Sequence, residues 1–328
     1  LRRRGTDVLL PSMGVPIVTD ADEALEAVQD TMEDLCATRP EEAGELAAAR
    51  SVGTQPALTR LSEHVWLSQH SASSCTFVVG PSGSALALDY GYHAQRWWNG
   101  YPFDTYRSRA LAHTLDAMRD QAGAERIDVV IPSHYHDDHV AGIPFLQRSQ
   151  GTECWAHEAF ADLLEQPEAH QFPCDDPIPT RVHRRLRDDE AVSWEGIEFR
   201  FEAASGHTRF QNLIGFEVDG LRFAHSGDQY GFISKSDFRD QTVRPIKGDV
   251  ISDWSEVTHQ ENHVYRGGAR LDSFAHSAAW LKAQRPDIVL SGHWAPFRAD
   301  AAFFDLIDER AQLYEDVHRR AMPLADTD

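Results

Sequence analysis

The stretch IPSHYHDDHVAGIPFL, Ile131 to Leu146, sets three histidines and two aspartates within six residues, directly after one apolar run and directly before another. The run IDVVIP suits a buried strand, and the helically spaced SRALAHTLDAMRDQAG before it closes on Gly123. Ionisable groups in such number at the mouth of an interior strand are better explained by a shared ion than by a solvated loop. His134 and His136 lie two apart, so in extended backbone their side chains point the same way and can share one cation. Asp138 and His139 follow as the chain turns into a helix, where they can aim at a point beside the first. Imidazole and carboxylate are the ligands expected for zinc, iron or manganese at a catalytic site.

Two such ions need more ligands, brought from other strand ends. GHTRFQN puts His207 just after the strand IEFRFEAA, FAHSGDQYG puts Asp228 just after LRFAHS, and VLSGHW puts His293 at the end of DIVL. Each sits beside a glycine that lets the backbone turn closely. A carboxylate at Asp228 could bridge two cations through its two oxygens, which no histidine can do.

The rest of the chain fits a layered architecture. HVWLSQ, CTFVVG and SALALDYG read as consecutive antiparallel strands. A helix (HVAGIPFLQR), a strand (TECWA), a helix (EAFADLLEQ) and the strands RVHRRL, IEFRFEAA, NLIGFEVD and LRFAHSGD follow the histidine cluster. Strands dominate each half with helices between them, which argues for sheet packed on sheet with helices outside. Between Phe232 and Arg270 the periodicity fades, and this 232–270 insertion reads as a substrate-covering loop or a mobile excursion. Regularity returns with RLDSFAHSAAWLKAQ, DIVLSGHW and a terminal helix AAFFDLIDERAQLYEDVHRR.

Residues 1–55 read as a separate N-terminal segment ahead of a catalytic domain over 56–328. DVLLPSMGVPI (Asp7 to Ile17) aligns without a gap over DIVLSGHWAPF (Asp287 to Phe297), with Met13 falling on His293. Either this is the tail of a preceding, similar module, or two strand-to-helix junctions coincide.

Composition limits the partners. The 52 acidic against 31 basic residues give a net charge of −21, which opposes binding to a phosphate backbone. No nucleic acid is expected, no apolar run is long enough for a membrane span, and no signal peptide is recognisable, so a cytoplasmic protein is expected. Cys36, Cys75, Cys154 and Cys174 form no CxxC pair and read as reduced structural thiols.

The order HxHxDH, then GH, then GD, then GH resembles the metallo-β-lactamase-fold hydrolase superfamily from about Leu61 to the C-terminal helix, and Asp89 in LALDYG resembles that family's early structural aspartate. The resemblance implies a four-layer αββα sandwich with metals at the edge between the sheets. It also implies that His134, His136 and His207 bind one metal, that Asp138, His139 and His293 bind the second, and that Asp228 bridges them. Two divalent cations are expected, Zn2+ first, with Mn2+ or Fe2+ as alternatives. The implied chemistry is hydrolysis of a small ester, thioester or lactone by a hydroxide held between the metals, with Asp138 orienting it.

Within the superfamily, the aspartate at Asp228 counts against antibiotic hydrolysis and His136 against the flavodiiron pattern. The short tail after His293 counts against glutathione recognition. A mononuclear iron sulfur dioxygenase of the same fold, a phosphodiesterase and a non-catalytic metal-binding relative stay open. For a small-molecule substrate the candidate contacts are Tyr230, two residues after Asp228, and Tyr265, Arg266 and Arg270 in NHVYRGGAR, where arginine could hold a carboxylate or phosphate or could simply start a helix. Trp97 and Trp98 are a pocket wall or a protein contact, and Tyr135 is expected to pack. A homo-oligomer is compatible with all of this.

Overall fold

The computed structural model describes residues 58–68, 73–91, 112–170, 178–234, 252–253, 257–261, 272–293 and 295–321, with backbone only for 231–234, 252–253, 257–261, 317–318 and 321. All lie in the larger of the two units into which the chain divides, Ala49–Asp328. The N-terminal segment 1–55 with its repeat, the cysteines Cys36 and Cys174, and residues Trp97, Trp98, Tyr265, Arg266 and Arg270 lie outside the described residues.

Two seven-stranded sheets form the frame. The first runs in chain order as β1 (Thr59–Arg60), β2 (Val65–Ser68), β3 (Cys75–Val79), β4 (Ser84–Leu88), β5 (Arg126–Ile131), β6 (Glu153–His157) and β7 (Arg184–Leu186). The second contains β8 (Ala191–Trp194), β9 (Ile197–Ala203), β10 (Asn212–Val218), β11 (Leu221–His225), β13 (Ser252–Asp253), β15 (Ile288–Leu290) and β16 (Phe297–Arg298), in the order β13-β16-β15-β11-β10-β9-β8. A separate pair, β12 (Tyr230–Ser234) and β14 (Val257–Glu261), is antiparallel. The 232–270 insertion is therefore not wholly irregular. It opens on a strand, returns to pair with it, and lends β13 to the edge of the second sheet.

Strand periodicity sorts the apolar side chains into layers. In β15, Ile288 and Leu290 enter the core between the sheets while Val289 faces the opposite way. In β11, Phe223 points inward and Ala224 outward. The inner layer also holds Val65, Leu86, Ile131, Phe199, Ile214 and Phe216, with Phe216 and Phe223 stacked at 5.0 Å. The outer face of the second sheet is covered by α5 (Ser273–Gln284) and α6 (Ala301–Ala321), which contribute Ala278, Leu281, Phe303 and Ile307. On the first sheet, α3 (Ile143–Gln150) packs on β5, and α4 (Glu158–Glu165) on β6 and β7. The helix α1, residues 112–117, runs into a π-helical turn, Met118–Ala122, and stops at Gly123 with φ of 71°. The order helix, sheet, sheet, helix is the expected αββα sandwich.

The segment HVAGIPFLQR does not form one helix. It breaks at Ala141 and Gly142 between α2 (Asp137–Val140) and α3, because Gly142 meets the chain after β4: its N–H donates to the Tyr90 carbonyl at 3.0 Å, and a Cβ there would lie 2.4 Å from the Gly91 carbonyl oxygen. Pro144 in the first turn then starts α3. Strand β8 adds to the expected set, its AVSW alternating exposed and buried residues.

Replacing Phe223 by alanine removes a ring that is 1% exposed, and should lower unfolding free energy by about 3–5 kcal/mol, measured by urea denaturation. Cys154 is fully buried and its thiol is pushed well up, first by burial and then by Glu165. In native protein at neutral pH it should resist iodoacetamide that labels it readily after unfolding, as read by peptide mass spectrometry.

Candidate metal centre

Every residue of the centre leaves a strand at the same edge of the sandwich. Parallel pairing of β4 with β5 and of β11 with β15 brings Asp89, the 133–139 segment, Asp228 and His293 to one end, and the turn from β9 into β10 adds His207. Backbone straps close the seam between the sheets there. Asn212 N–H donates to the Ser133 carbonyl at 2.9 Å, His134 and Gln211 form an isolated bridge, and Ser74 N–H donates to the Gly292 carbonyl at 2.5 Å.

The structure brings all seven expected ligands together in two groups that share one residue. His134, His136, His207 and Asp228 form the first; Asp138, His139, Asp228 and His293 form the second, and within each group ligand atoms lie within 4.8 Å of one another. In the first, His136 Nδ1 is 2.9 Å from His134 Nε2 and 3.1 Å from His207 Nε2, so three ring nitrogens converge on one point. Asp228 Oδ2 stands 3.5 Å from His207 Nε2 and 3.9 Å from His134 Nε2. In the second, His293 Nε2 is 3.0 Å from both Asp138 Oδ2 and Asp228 Oδ2, while His139 Nε2 faces Asp228 Oδ1 at 3.2 Å.

A buried carboxyl group orients the rings. Asp89, with φ of 60° and no exposure, closes β4. Its Oδ1 accepts from Ser133 N–H at 2.6 Å, and its Oδ2 from the Ser133 hydroxyl at 2.8 Å and from His139 Nδ1 at 2.8 Å. Because the Ser133 proton goes to Asp89, Ser133 Oγ is left to accept from His134 Nδ1, 3.0 Å away. Both rings are thereby held with Nε2 turned to the centre, the arrangement outer hydrogen bonds give to metal-ligating histidines.

These residues fit cations. His139 Nε2 and Asp228 Oδ1 are buried, mutually facing and without hydrogen-bond partners. With Nδ1 already donating to Asp89, two lone pairs would oppose each other unless a proton or a cation stands between them. The local electrostatics divide the groups. Burial, then neighbouring histidines, push His134 down, and burial followed by His207 brings His136 to about 4, which keeps these imidazoles neutral as ligation requires. In the second group burial works to lower His139 and His293, but Asp228 and its fellow carboxylates outweigh it, raising His139 well above its usual value and His293 to about 10. Against burial, His139 and His293 draw Asp138 down to about 2 and hold Asp228 well below a usual carboxylate. That group is built to hold positive charge.

Absence of a side chain matters as much at Gly292, where a Cβ would lie 2.1 Å from Asp228 Oδ1 and 2.8 Å from His139 Cε1. At Gly206 a Cβ would meet Gln229 Oε1 at 2.5 Å. Gln229 in turn accepts from Gln211 Nε2 at 2.9 Å, tying the Asp228 turn to the His207 loop. Ser133, Gln211, Gln229 and His225 were not read from the sequence. Ser133 adjoins the cluster, which was the available signal; nothing marked the others.

Tyr230 does not line the site. It is fully buried under α6 with its ring 6.4 Å from Phe303, because β12 begins there and turns it into the core. Tyr135 packs as expected, edge-on to His136 and Phe210 with ring centres at 4.8 and 5.9 Å.

Known proteins with this architecture include a HARLDQ-motif metallo-β-lactamase from Cronobacter sakazakii, 15% identical with a TM-score of 0.53 over 87% of this chain and 95% of that one. A class B3 di-zinc metallo-β-lactamase from an Alaskan soil metagenome is 13% identical, with a TM-score of 0.53 over 81% and 95%. A β-lactamase from Chitinophaga pinensis is 15% identical, with a TM-score of 0.51 over 80% and 94%. No curated protein sequence matches. The chain is thus a metallo-β-lactamase-fold protein. Residues 102–244 match the sequence model of the beta-lactamase superfamily domain.

Gly292→Ala should strip the second group of its geometry. We expect metal uptake to fall below that of the parent, with about 1–3 kcal/mol of stability lost to overpacking, read by elemental analysis and thermal melting.

Proposed function

We propose that the chain is a binuclear metal-dependent hydrolase acting on a small ester, thioester or lactone, with zinc as the preferred metal. The observation that carries the reading is Asp228: it is 3% exposed, one oxygen faces His139, and the other faces His134, His207 and His293. His134, His136 and His207 would hold one cation and Asp138, His139 and His293 the other, with Asp228 between them. Divalent cations so placed supply a water whose pKa falls from about 16 to about 7, and they polarise the substrate oxygen.

The protein's own groups divide the remaining work. Burial and neighbouring histidines keep His134 and His136 neutral, so that they present lone pairs without losing protons. Asp89 and Ser133 fix the orientation of His134 and His139, so no ring needs to turn during reaction. The Asp138 and His293 side chains are 19% and 28% exposed and His136 is also part-exposed, against 0–4% for His134, His139, His207 and Asp228, so substrate reaches the centre from the side of these three residues. Asp138, held by His293 through Oδ2, is placed to orient the attacking water. No helix among the described residues is long and apolar enough to cross a membrane. The acidic surface favours a small-molecule substrate over a nucleic acid.

Protein purified without chelator should carry close to two zinc or manganese ions per chain by elemental mass spectrometry, and Asp228→Ala should lose most of both. It should also hydrolyse a member of an ester, thioester and lactone panel without oxygen. A single iron retained in the variant, with oxygen consumption on sulfur substrates, would overturn the reading in favour of a dioxygenase.

A further inference from the structure

Asp228 sits on a turn whose geometry is set by a residue outside the ligand groups. His225 closes β11 and is fully buried in the interior. Its Nδ1 accepts from Gly227 N–H at 3.2 Å, which leaves the ring proton on Nε2. That Nε2 has no hydrogen-bond partner and faces Asp89 Oδ2 at 3.6 Å, the same oxygen that accepts from His139 and Ser133. The spacing is too long for a hydrogen bond, yet in a dry interior the N–H still acts on the carboxylate. On its other side the ring fixes Gly227, which has φ of 53° and whose carbonyl accepts from Gly292 N–H at 2.8 Å. One imidazole therefore touches the turn before Asp228 and the acid behind His139. Leucine would fill a strand end in the core without the desolvation cost of an imidazole.

The geometry points to His225 as a positioning residue that couples the Asp228 turn to the Asp89–His139 pair and sets how tightly the second group takes its cation. It rests on the metal-binding reading above and goes beyond it in making the two halves of the centre unequal. His139 leans on Asp89 directly, whereas His134 reaches it only through Ser133, so loss of the His225 N–H should fall mainly on the His139 side.

Two variants separate the contacts. His225→Asn keeps an acceptor near the Nδ1 position and loses the proton aimed at Asp89; His225→Leu loses both. Metal-free full-length protein would be titrated with zinc against a competing chelator, with cobalt spectra reporting coordination and circular dichroism giving the melting temperature without metal. The expected result for His225→Asn is a metal-free melting temperature close to the parent's, an unchanged first equivalent, and a second equivalent weakened by about 10–100-fold with an altered cobalt spectrum. His225→Leu should weaken both equivalents and melt lower. If His225→Asn binds both equivalents as the parent does, the coupling is overturned. It is equally overturned if both equivalents weaken alike while the metal-free protein melts lower, since His225 would then serve only the fold. Failure of the parent to bind zinc would instead defeat the metal-binding reading, and it shows before any variant is made.

Discussion

A carboxyl group with no solvent access has to be satisfied from within, and Asp89 is satisfied by the very segment that carries the chemistry. The Ser133 backbone and hydroxyl and the His139 ring all donate to it. The cost of burying a polar group without partners, roughly 2–7 kcal/mol, makes this arrangement self-enforcing. If the 133–139 segment moved, Asp89 would be stranded; if Asp89 moved, His134 and His139 would lose their orientation. The left-handed backbone at Asp89 is held in the same way, by its N–H donating to the Ile131 carbonyl at 3.1 Å.

Around that contact the sandwich supplies rigidity where the centre needs it. The candidate ligands stand on strand ends or, for Asp138 and His139, on α2 directly after β5, and the strands are fixed by a core of interleaved phenylalanine, valine, isoleucine and leucine on both sheets. Close approaches at Gly91 and Gly142 let the chain after β4 cross α2 and reach α3. A Cβ on Gly91 would lie 1.4 Å from the Asp138 carbonyl oxygen. Ser73 completes the enclosure by donating from its hydroxyl to that same carbonyl at 2.6 Å.

Much of this was legible in the sequence because ligands and strands carry strong local patterns. HxHxDH compresses four ligands into six residues, and His207, Asp228 and His293 each follow an apolar run and adjoin a glycine. The alternation of β9 is equally plain, and β10, β11 and β15 stand out as apolar runs. What escaped depends on three-dimensional neighbours. His225 looks like any histidine at a strand end until the fold sets it against Asp89. Tyr230 follows Asp228 closely enough to suggest a pocket residue, but the start of β12 decides which way it points. The break at Gly142 is dictated by the chain after β4, some fifty residues earlier, and no helical period announces it.

The two sheets are built from successive stretches of chain, β1 to β7 and then β8 onward with β13, β15 and β16. Each ligand group draws two members from the first stretch and two from the second: His134 and His136 with His207 and Asp228, Asp138 and His139 with Asp228 and His293. During synthesis the leading half thus emerges with two half-sets of the proposed ligands and nothing to close them. The trailing half completes them in order, His207 first and His293 last, so the centre matures only when β15 has been laid beside β11. An ion captured across the seam would act as a latch on the assembled sandwich, rewarding the correct docking of one sheet on the other and leaving any misregistered pairing unsecured.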